Sequence, residues 1–515
     1  MYLFIAVSVV AYAGLVGMDW LYGTLRASRT PQTIGWYLIA FFAYLGALVW
    51  AEKRGMSKWW MWGAAICFRL LLLLTTPTLS DDVYRYLWDG YVANEGVSPY
   101  AYAINAPELD YLDIPLRALA NNAWMASPYL PVAQGVFFGV TAVLPLRPLF
   151  LQIIMVFFDL AGAWLLARLL VLATLPARRL LIYLWNPLVI VEVAHGAHVD
   201  SWMLLLALLA VYFALKESKQ SSANSEQPIV NSQQITVNSQ QPTVKQKIAG
   251  SGRGERIVNI SNSLFRINYS QFFSPVFLAL ATLTKILPVL LLPVLFWFWN
   301  WWQRVLFGGL LLILLLPFGW QAGWGLTGEL DGRGLFGALR IYGEQWNFNS
   351  GLFHWLEVAL GNQGLADPAT VSKGIVAVVF VLLVTAVWWL ARTRQSNRAA
   401  LRLMAIPLIG YVLLTPTLHP WYILILLAFV PFLGPSETEH SWRWLLVAPW
   451  LYLSGALIFS YFTYLDPLNF GELEWVRRLE WVPLLGLLVI AAIVGLFRFT
   501  DERESDFKAM GITRW

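Results

Sequence analysis

The feature that most constrains this chain is a succession of apolar runs, each close to the thickness of a bilayer, separated by short polar segments. A helix rises 1.5 Å per residue, so about twenty apolar residues cross the hydrocarbon core. Runs of this character lie near 1–18, 34–51, 59–77, 149–170, 179–194, 201–216, 272–285, 286–301, 304–320, 371–391, 400–415, 420–434, 444–462 and 480–498. They predict an all-α fold: a polytopic integral membrane helical bundle of about 14 spans. Charged residues make up only 13% of the chain, against about 25% in a soluble domain. That excludes a soluble globular enzyme and disorder for most of the chain. The many Trp, Phe and Tyr suit the aromatic belts of helical spans, and no series of short alternating segments reads as a barrel.

Lys285-Ile286-Leu287-Pro288 predicts a break between two of the runs, because proline destabilises the turn before it. The apolar start, Met1 to Met18, has no basic segment before Ala11-Tyr12-Ala13 and reads as a retained span. The net charge of +5 is read as cytoplasmic loop charge, not as a nucleic-acid surface. With a cytoplasmic N-terminus, the inner segments hold Lys53, Arg54, Lys58, Arg168, Arg178, Arg179, Arg392, Arg394, Arg398 and Arg402. Arg26 and Arg29 run against this trend. Cys67 is the sole cysteine, so neither an intramolecular disulfide nor a cysteine zinc site is expected.

The expected organisation has four parts. Residues 1–216 form an N-terminal membrane module that includes a first outer loop at 80–148. Residues 217–271, rich in Gln, Ser and Asn, form a disordered cytoplasmic insertion. Residues 272–498 form a C-terminal membrane module with an outer loop at 321–370, and 499–515 a cytoplasmic tail. The apolar stretch from Tyr129 to Leu146 is short for a span and is expected to lie as a helix at the outer interface.

Five clusters could carry chemistry, and this topology puts all five at the outer face. The first is Ser80-Asp81-Asp82-Val83-Tyr84-Arg85-Tyr86, with Asp89 beyond it. One carboxylate there could serve as a general base and the other as an orienting or metal-binding group. The plainer reading is a capped interfacial helix start. The second is His195-Gly196-Ala197-His198-Val199-Asp200, whose spacing could bind a metal or a phosphate but equally suits a polar turn. The third is Lys285, an ionisable residue among apolar runs, suited to a phosphate or to snorkelling. The fourth is His419-Pro420-Trp421-Tyr422, and the fifth Trp346-Asn347-Phe348-Asn349-Ser350. The last mixes aromatic faces with amides, as sugar rings require and as interface loops also do. There is no P-loop, Rossmann glycine pattern, His-Glu-x-x-His or Gly-x-Ser-x-Gly motif.

The acidic segment after an early span resembles the first outer loop of GT-C glycosyltransferases, which take a sugar from a polyprenyl-phosphate carrier. Gly96-Val97-Ser98-Pro99-Tyr100, Ser127-Pro128-Tyr129-Leu130-Pro131, Asp159, Asn186-Pro187-Leu188, Gly196-Ala197-His198-Val199-Asp200, Thr284-Lys285-Ile286-Leu287-Pro288 and His419-Pro420-Trp421-Tyr422 have counterparts there too. The resemblance covers roughly 80–425, outside the polar insertion, and is strongest to bacterial alpha-mannosyltransferases and the GPI-mannosyltransferase-like group. Two departures stand out: three spans precede the acidic loop, and its aspartates are adjacent, not spaced as Asp-x-Asp.

The resemblance implies an inverting hexosyltransferase of the inner membrane with its site on the outer face. The donor would be a polyprenyl-phosphate sugar, with mannose the implied sugar, the acceptor a glycan or lipid, and nucleic acid no partner. Asp81 or Asp82 would be catalytic, with Asp81 favoured because it leaves the span first. Lys285, Arg85 and His198 would meet the donor phosphate. Tyr84, Asp89, Tyr100, Asp200, Asn349, His419, Trp421 and Tyr422 would meet substrate. A divalent metal is an open alternative and no other cofactor is expected. The competing class is a transporter or flippase of lipid-linked saccharides, but no internal repeat supports it.

Overall fold

A computed structural model describes residues 1–23, 25–225, 270–326, 331–393, 395–436, 439–466 and 471–509. The described residues are helical throughout, apart from loops and one isolated bridge between Phe348 and Thr417. Eight helices are long and apolar enough to cross a membrane: Tyr2–Tyr22, Arg26–Arg54, Pro148–Leu172, Trp301–Ala322, Pro368–Leu390, Asn397–Leu414, Ser441–Leu465 and Glu474–Arg498. Pro187–His195 and Asp200–Glu217 make a ninth only as a pair bent by 119°.

The expectation of about fourteen full spans is therefore corrected. The run at 59–77 is a 15-residue helix that ends at Leu72. The runs at 272–285 and 286–301 are separated at Lys285, as the proline implies, but form only the short helices Phe272–Thr284 and Leu287–Phe298. The run at 420–434 is likewise a short helix, Pro420–Leu433. The run at 179–194 is several short turns, since Pro187 and a widened turn interrupt it. Mean apolarity alone does not show where a helix ends or breaks within such a run. The stretch from Tyr129 to Leu146 forms a short helix, Pro131–Val143. It packs so closely on Asp82–Asn94 that a Cβ at Gly90 would lie 2.4 Å from the Phe137 carbonyl oxygen. Helix Asp200–Ser225 runs into the start of the expected insertion. The insertion's last two residues belong to helix Ser270–Thr284, while 226 to 269 lie outside the described residues, as do 510–515.

One buried ion pair ties three elements together. Arg69 donates from Nε to Asp159 Oδ2 at 2.6 Å, and both side chains are fully buried. Arg69 Nη1 donates to the carbonyls of Ala65 and Leu184, and Tyr183 donates to Asp159 Oδ1 at 2.6 Å. The helix carrying Arg69 is thereby pinned to Pro148–Leu172 and to the segment before Pro187.

The two ends of the bundle differ in charge. At one end Arg178 meets Glu52 at 2.8 Å. There Arg402 meets Glu439 at 2.9 Å and donates to the Phe432 carbonyl, while Arg179 donates to that of Pro431. At the opposite end lie the acidic loop, the bend at His195–Asp200 and the loops 331–366 and 415–422. Arg26 and Arg29 are at this second end, as are Arg85, Arg117, Arg333 and Arg340. Arg29 is paired with Asp19 at 2.7 Å and Arg26 with Asp81, so neither is a bare positive charge.

Candidate active site

The bend between Pro187–His195 and Asp200–Glu217 organises the site. Asn186 accepts from the Leu188 N–H and starts the first half-helix. Val191–His195 is a π-helical turn, closed by a Gly196 N–H to Val191 carbonyl bond of 3.0 Å. Such turns free carbonyls and often mark functional sites. Gln152, on Pro148–Leu172, meets the freed groups by donating to the carbonyls of Ala194 at 2.9 Å and Thr75 at 3.1 Å. Ala197 follows with φ of 55°, an uncommon conformation for a residue with a side chain.

His195, His198 and Asp200 share a short segment but serve different partners. His195 Nδ1 lies 2.7 Å from Thr75 Oγ1, whose own hydrogen goes to the Leu72 carbonyl. Nδ1 is thus the donor, and Nε2 accepts from the Thr78 N–H at 3.2 Å. His195 fastens the segment that leads into the acidic loop. His198 Nε2 lies 3.2 Å from Glu192 Oε2, and its Nδ1 lies 3.7 Å from Asp82 Oδ2. Asp200, fully buried at the start of its helix, accepts from Lys285 Nζ with both oxygens at 2.9 Å. The three do not converge on one point. Among the described residues no group of three or more His, Cys, Asp or Glu is arranged to hold a metal.

The two aspartates diverge in the same way. Asp81, the residue before helix Asp82–Asn94, is paired with Arg26, and Tyr84 stands half-buried on the next turn. Asp82 turns the other way: Oδ1 accepts from Asn121 Nδ2 at 2.7 Å, and Oδ2 faces His198. Arg85 and Asp89 are buried and bind each other at 2.9 Å. Arg85 also donates to the carbonyls of Asn121, Asn122 and Met125. Asp89 accepts from Ser127 and from Gln134 at 3.1 Å. Tyr100, also buried, donates to the Tyr129 carbonyl at 2.7 Å. These three residues brace the loop and do not enter the cluster around Asp82.

Aromatic rings close the cluster. Trp421 stacks on His198 with centroids 3.9 Å apart, and His419 stacks on Trp421 at 4.6 Å and on Phe348 at 4.8 Å. Burial pushes the His419 imidazole down to about 3, so this ring stacks uncharged at neutral pH. Lys285 Nζ lies 4.3 Å from the Tyr422 ring centroid, a cation–π contact. Its side chain keeps 18% exposure. Tyr422 and Tyr342 share a hydrogen bond of 2.7 Å. Backbone bonds join the loops to one another: Ala126 N–H to Asp331, Gly334 N–H to Tyr100, and Leu418 N–H to Phe348. Asn349, with φ of 51°, is buried and accepts through its carbonyl from Trp481 Nε1.

Sequence reasoning missed Glu192, Asn121, Tyr342 and Tyr461. Tyr461 donates to Glu192 Oε1 at 2.8 Å. A signal for Glu192 exists, since it is an ionisable residue inside the apolar run 187–194.

A helical membrane protein that folds an acidic first loop onto a histidine, a lysine and aromatic loops has the form of a GT-C-like glycosyltransferase. The family model of the alpha-(1->6)-mannopyranosyltransferase N-terminal domain matches residues 10–301, more than half of the chain, and the chain belongs to that family. It is a membrane mannosyltransferase. Neither a curated protein nor a solved structure matches it.

Proposed function

We propose that the protein moves mannose from a polyprenyl-phosphate donor to a glycan or lipid acceptor, with Asp82 as base, at the outer face of a bacterial inner membrane. The family description makes an α-(1→6) bond the first linkage to test. The observation that carries the reading is the divergence of the aspartates. Asp81 is held by Arg26, whereas Asp82 faces His198. The acceptor oxygen attacks the anomeric carbon, the bond from that carbon to the phosphate oxygen breaks, and the phosphate leaves with the electron pair. The acceptor proton goes to Asp82. A lipid-linked donor reaches a site at the membrane surface laterally. The arginine cluster of Arg178, Arg398 and Arg402 at the opposite end, with Arg26 and Arg29 here each paired to an aspartate, supports an outer position for this one.

Lys285 is the donor-phosphate contact in this reading, because it is a compact cation with residual exposure beside the cluster. Arg85 keeps no such freedom, since its donors serve Asp89 and three carbonyls. A charge-assisted contact contributes about 1.5–3 kcal/mol, or roughly ten- to a hundredfold in affinity. Removing Lys285 alone would strand the buried Asp200 carboxylate, so the variant to use is Lys285→Met with Asp200→Asn. It should fold and bind the lipid-linked donor roughly ten- to a hundredfold more weakly. Unchanged donor affinity would return Lys285 to a purely structural pairing.

The reaction itself is tested in sealed vesicles of known orientation that carry labelled polyprenyl-phosphate mannose. The expected product is labelled acceptor at the face that bears loop 331–366. Labelled product confined to the face bearing Arg178 and Arg402 would refute the assigned side, and no labelled product from either face would refute the donor.

A further inference from the structure

We propose that Glu192 is a positioning residue that sets the tautomer of His198, so that His198 Nδ1 takes over the proton Asp82 collects from the acceptor. The inference rests on the reading of Asp82 as base. Three features of the geometry support it.

First, the order of the groups is linear. Glu192 Oε2 is 3.2 Å from His198 Nε2, and the other ring nitrogen faces Asp82 Oδ2 at 3.7 Å. A carboxylate beside Nε2 favours the tautomer with hydrogen on that nitrogen and leaves Nδ1 a lone pair. His198 is fully buried and neither ring nitrogen makes an aligned hydrogen bond in this state. Both carboxylates lie within 4 Å of the ring. Contacts of this kind commonly tighten only in the substrate complex.

Second, Glu192 is itself fixed. It is buried, and Tyr461 donates to its other oxygen at 2.8 Å. Third, the ring is closely packed. Trp421 stacks on one face at 3.9 Å, and a Cβ at Gly196 would come within 2.8 Å of His198 Cδ2. The π-helical turn and the glycine together bring Glu192 and His198, six residues apart, into contact.

The proton balance closes without a further reactant. Asp82 takes the acceptor hydroxyl proton as the new carbon–oxygen bond forms, then passes it to His198 Nδ1 and returns to carboxylate. The resulting imidazolium lies between two carboxylates. It gives the proton to water or to the departing phosphate when the products leave. An Asp–His pair oriented by a second acid follows the logic of other oriented imidazoles.

The test is a set of purified full-length variants: Glu192→Gln, His198→Gln, Asp82→Asn and the double variants Asp82→Asn/Glu192→Gln and Asp82→Asn/His198→Gln. Glu192→Gln keeps shape and the Tyr461 contact. It should lower kcat roughly ten- to a hundredfold, less than loss of the base itself, with KM for donor and acceptor unchanged. In the Asp82→Asn background the same substitution should have almost no further effect, because residues of one chain of proton transfer are not additive. Wild-type kcat in Glu192→Gln, or a fully additive double variant, would overturn the inference while leaving Asp82 as base. High activity in Asp82→Asn would instead overturn the reading beneath it. Should Glu192→Gln fail to fold, His198→Gln is required to show the same kcat loss and the same non-additivity, and its failure to do so would overturn the inference.

Discussion

Asp82→Asn should slow mannosyl transfer by about two to four orders of magnitude, the range that loss of a general base commonly produces. The amide is nearly the same size, and its oxygen can still accept from Asn121, which holds Asp82 at 2.7 Å. Donor affinity should therefore stay near the wild-type value. Asp81→Asn gives the contrast. It loses a partly exposed pair with Arg26, and such pairs contribute about 0–1 kcal/mol. Its rate should fall no more than about fivefold. Initial rates and donor affinities of both variants check this. A dead Asp81→Asn beside an active Asp82→Asn would exchange the roles.

The second large effect is on folding. Arg69→Leu leaves Asp159 buried without its cation, and breaking a buried pair in this way costs about 3–5 kcal/mol. Both partners have zero exposure, so water cannot make up the loss. The variant should aggregate or unfold well below the wild-type temperature in a detergent melting curve. Arg69→Leu combined with Asp159→Leu should recover much of the loss, since an apolar replacement of both charges is often neutral or stabilising. A wild-type melting curve for Arg69→Leu would mean that the pair contributes little to the bundle.

Much of the architecture was legible in the residues. Apolar length alone marks helices such as Pro148–Leu172 and Pro368–Leu390. The Lys285–Pro288 segment shows its break because proline acts on its own neighbours. What could not be read is how the chain behaves where distant groups decide. The run before His195 looks like a span, yet Gln152 and Asn186 stabilise a widened turn there. Asp81 and Asp82 are neighbours with the same chemistry, and the groups that separate them, Arg26 and Asn121, stand 55 and 39 positions away. The His-x-x-His-x-Asp spacing suggested one site, but Thr75, Asp82 and Lys285 draw its members in three directions. Position in the chain orders Asp81 before Asp82, but it does not show that Asp81 turns toward Arg26.

The donor and the base stand or fall together. The most direct measurement offers purified protein either labelled polyprenyl-phosphate mannose or a labelled nucleotide-linked mannose, in wild-type and Asp82→Asn forms. The account predicts transfer from the lipid-linked donor alone, by wild type alone, with the Asp82→Asn protein still binding that donor. Transfer from the nucleotide-linked sugar, or undiminished transfer by Asp82→Asn, would contradict it.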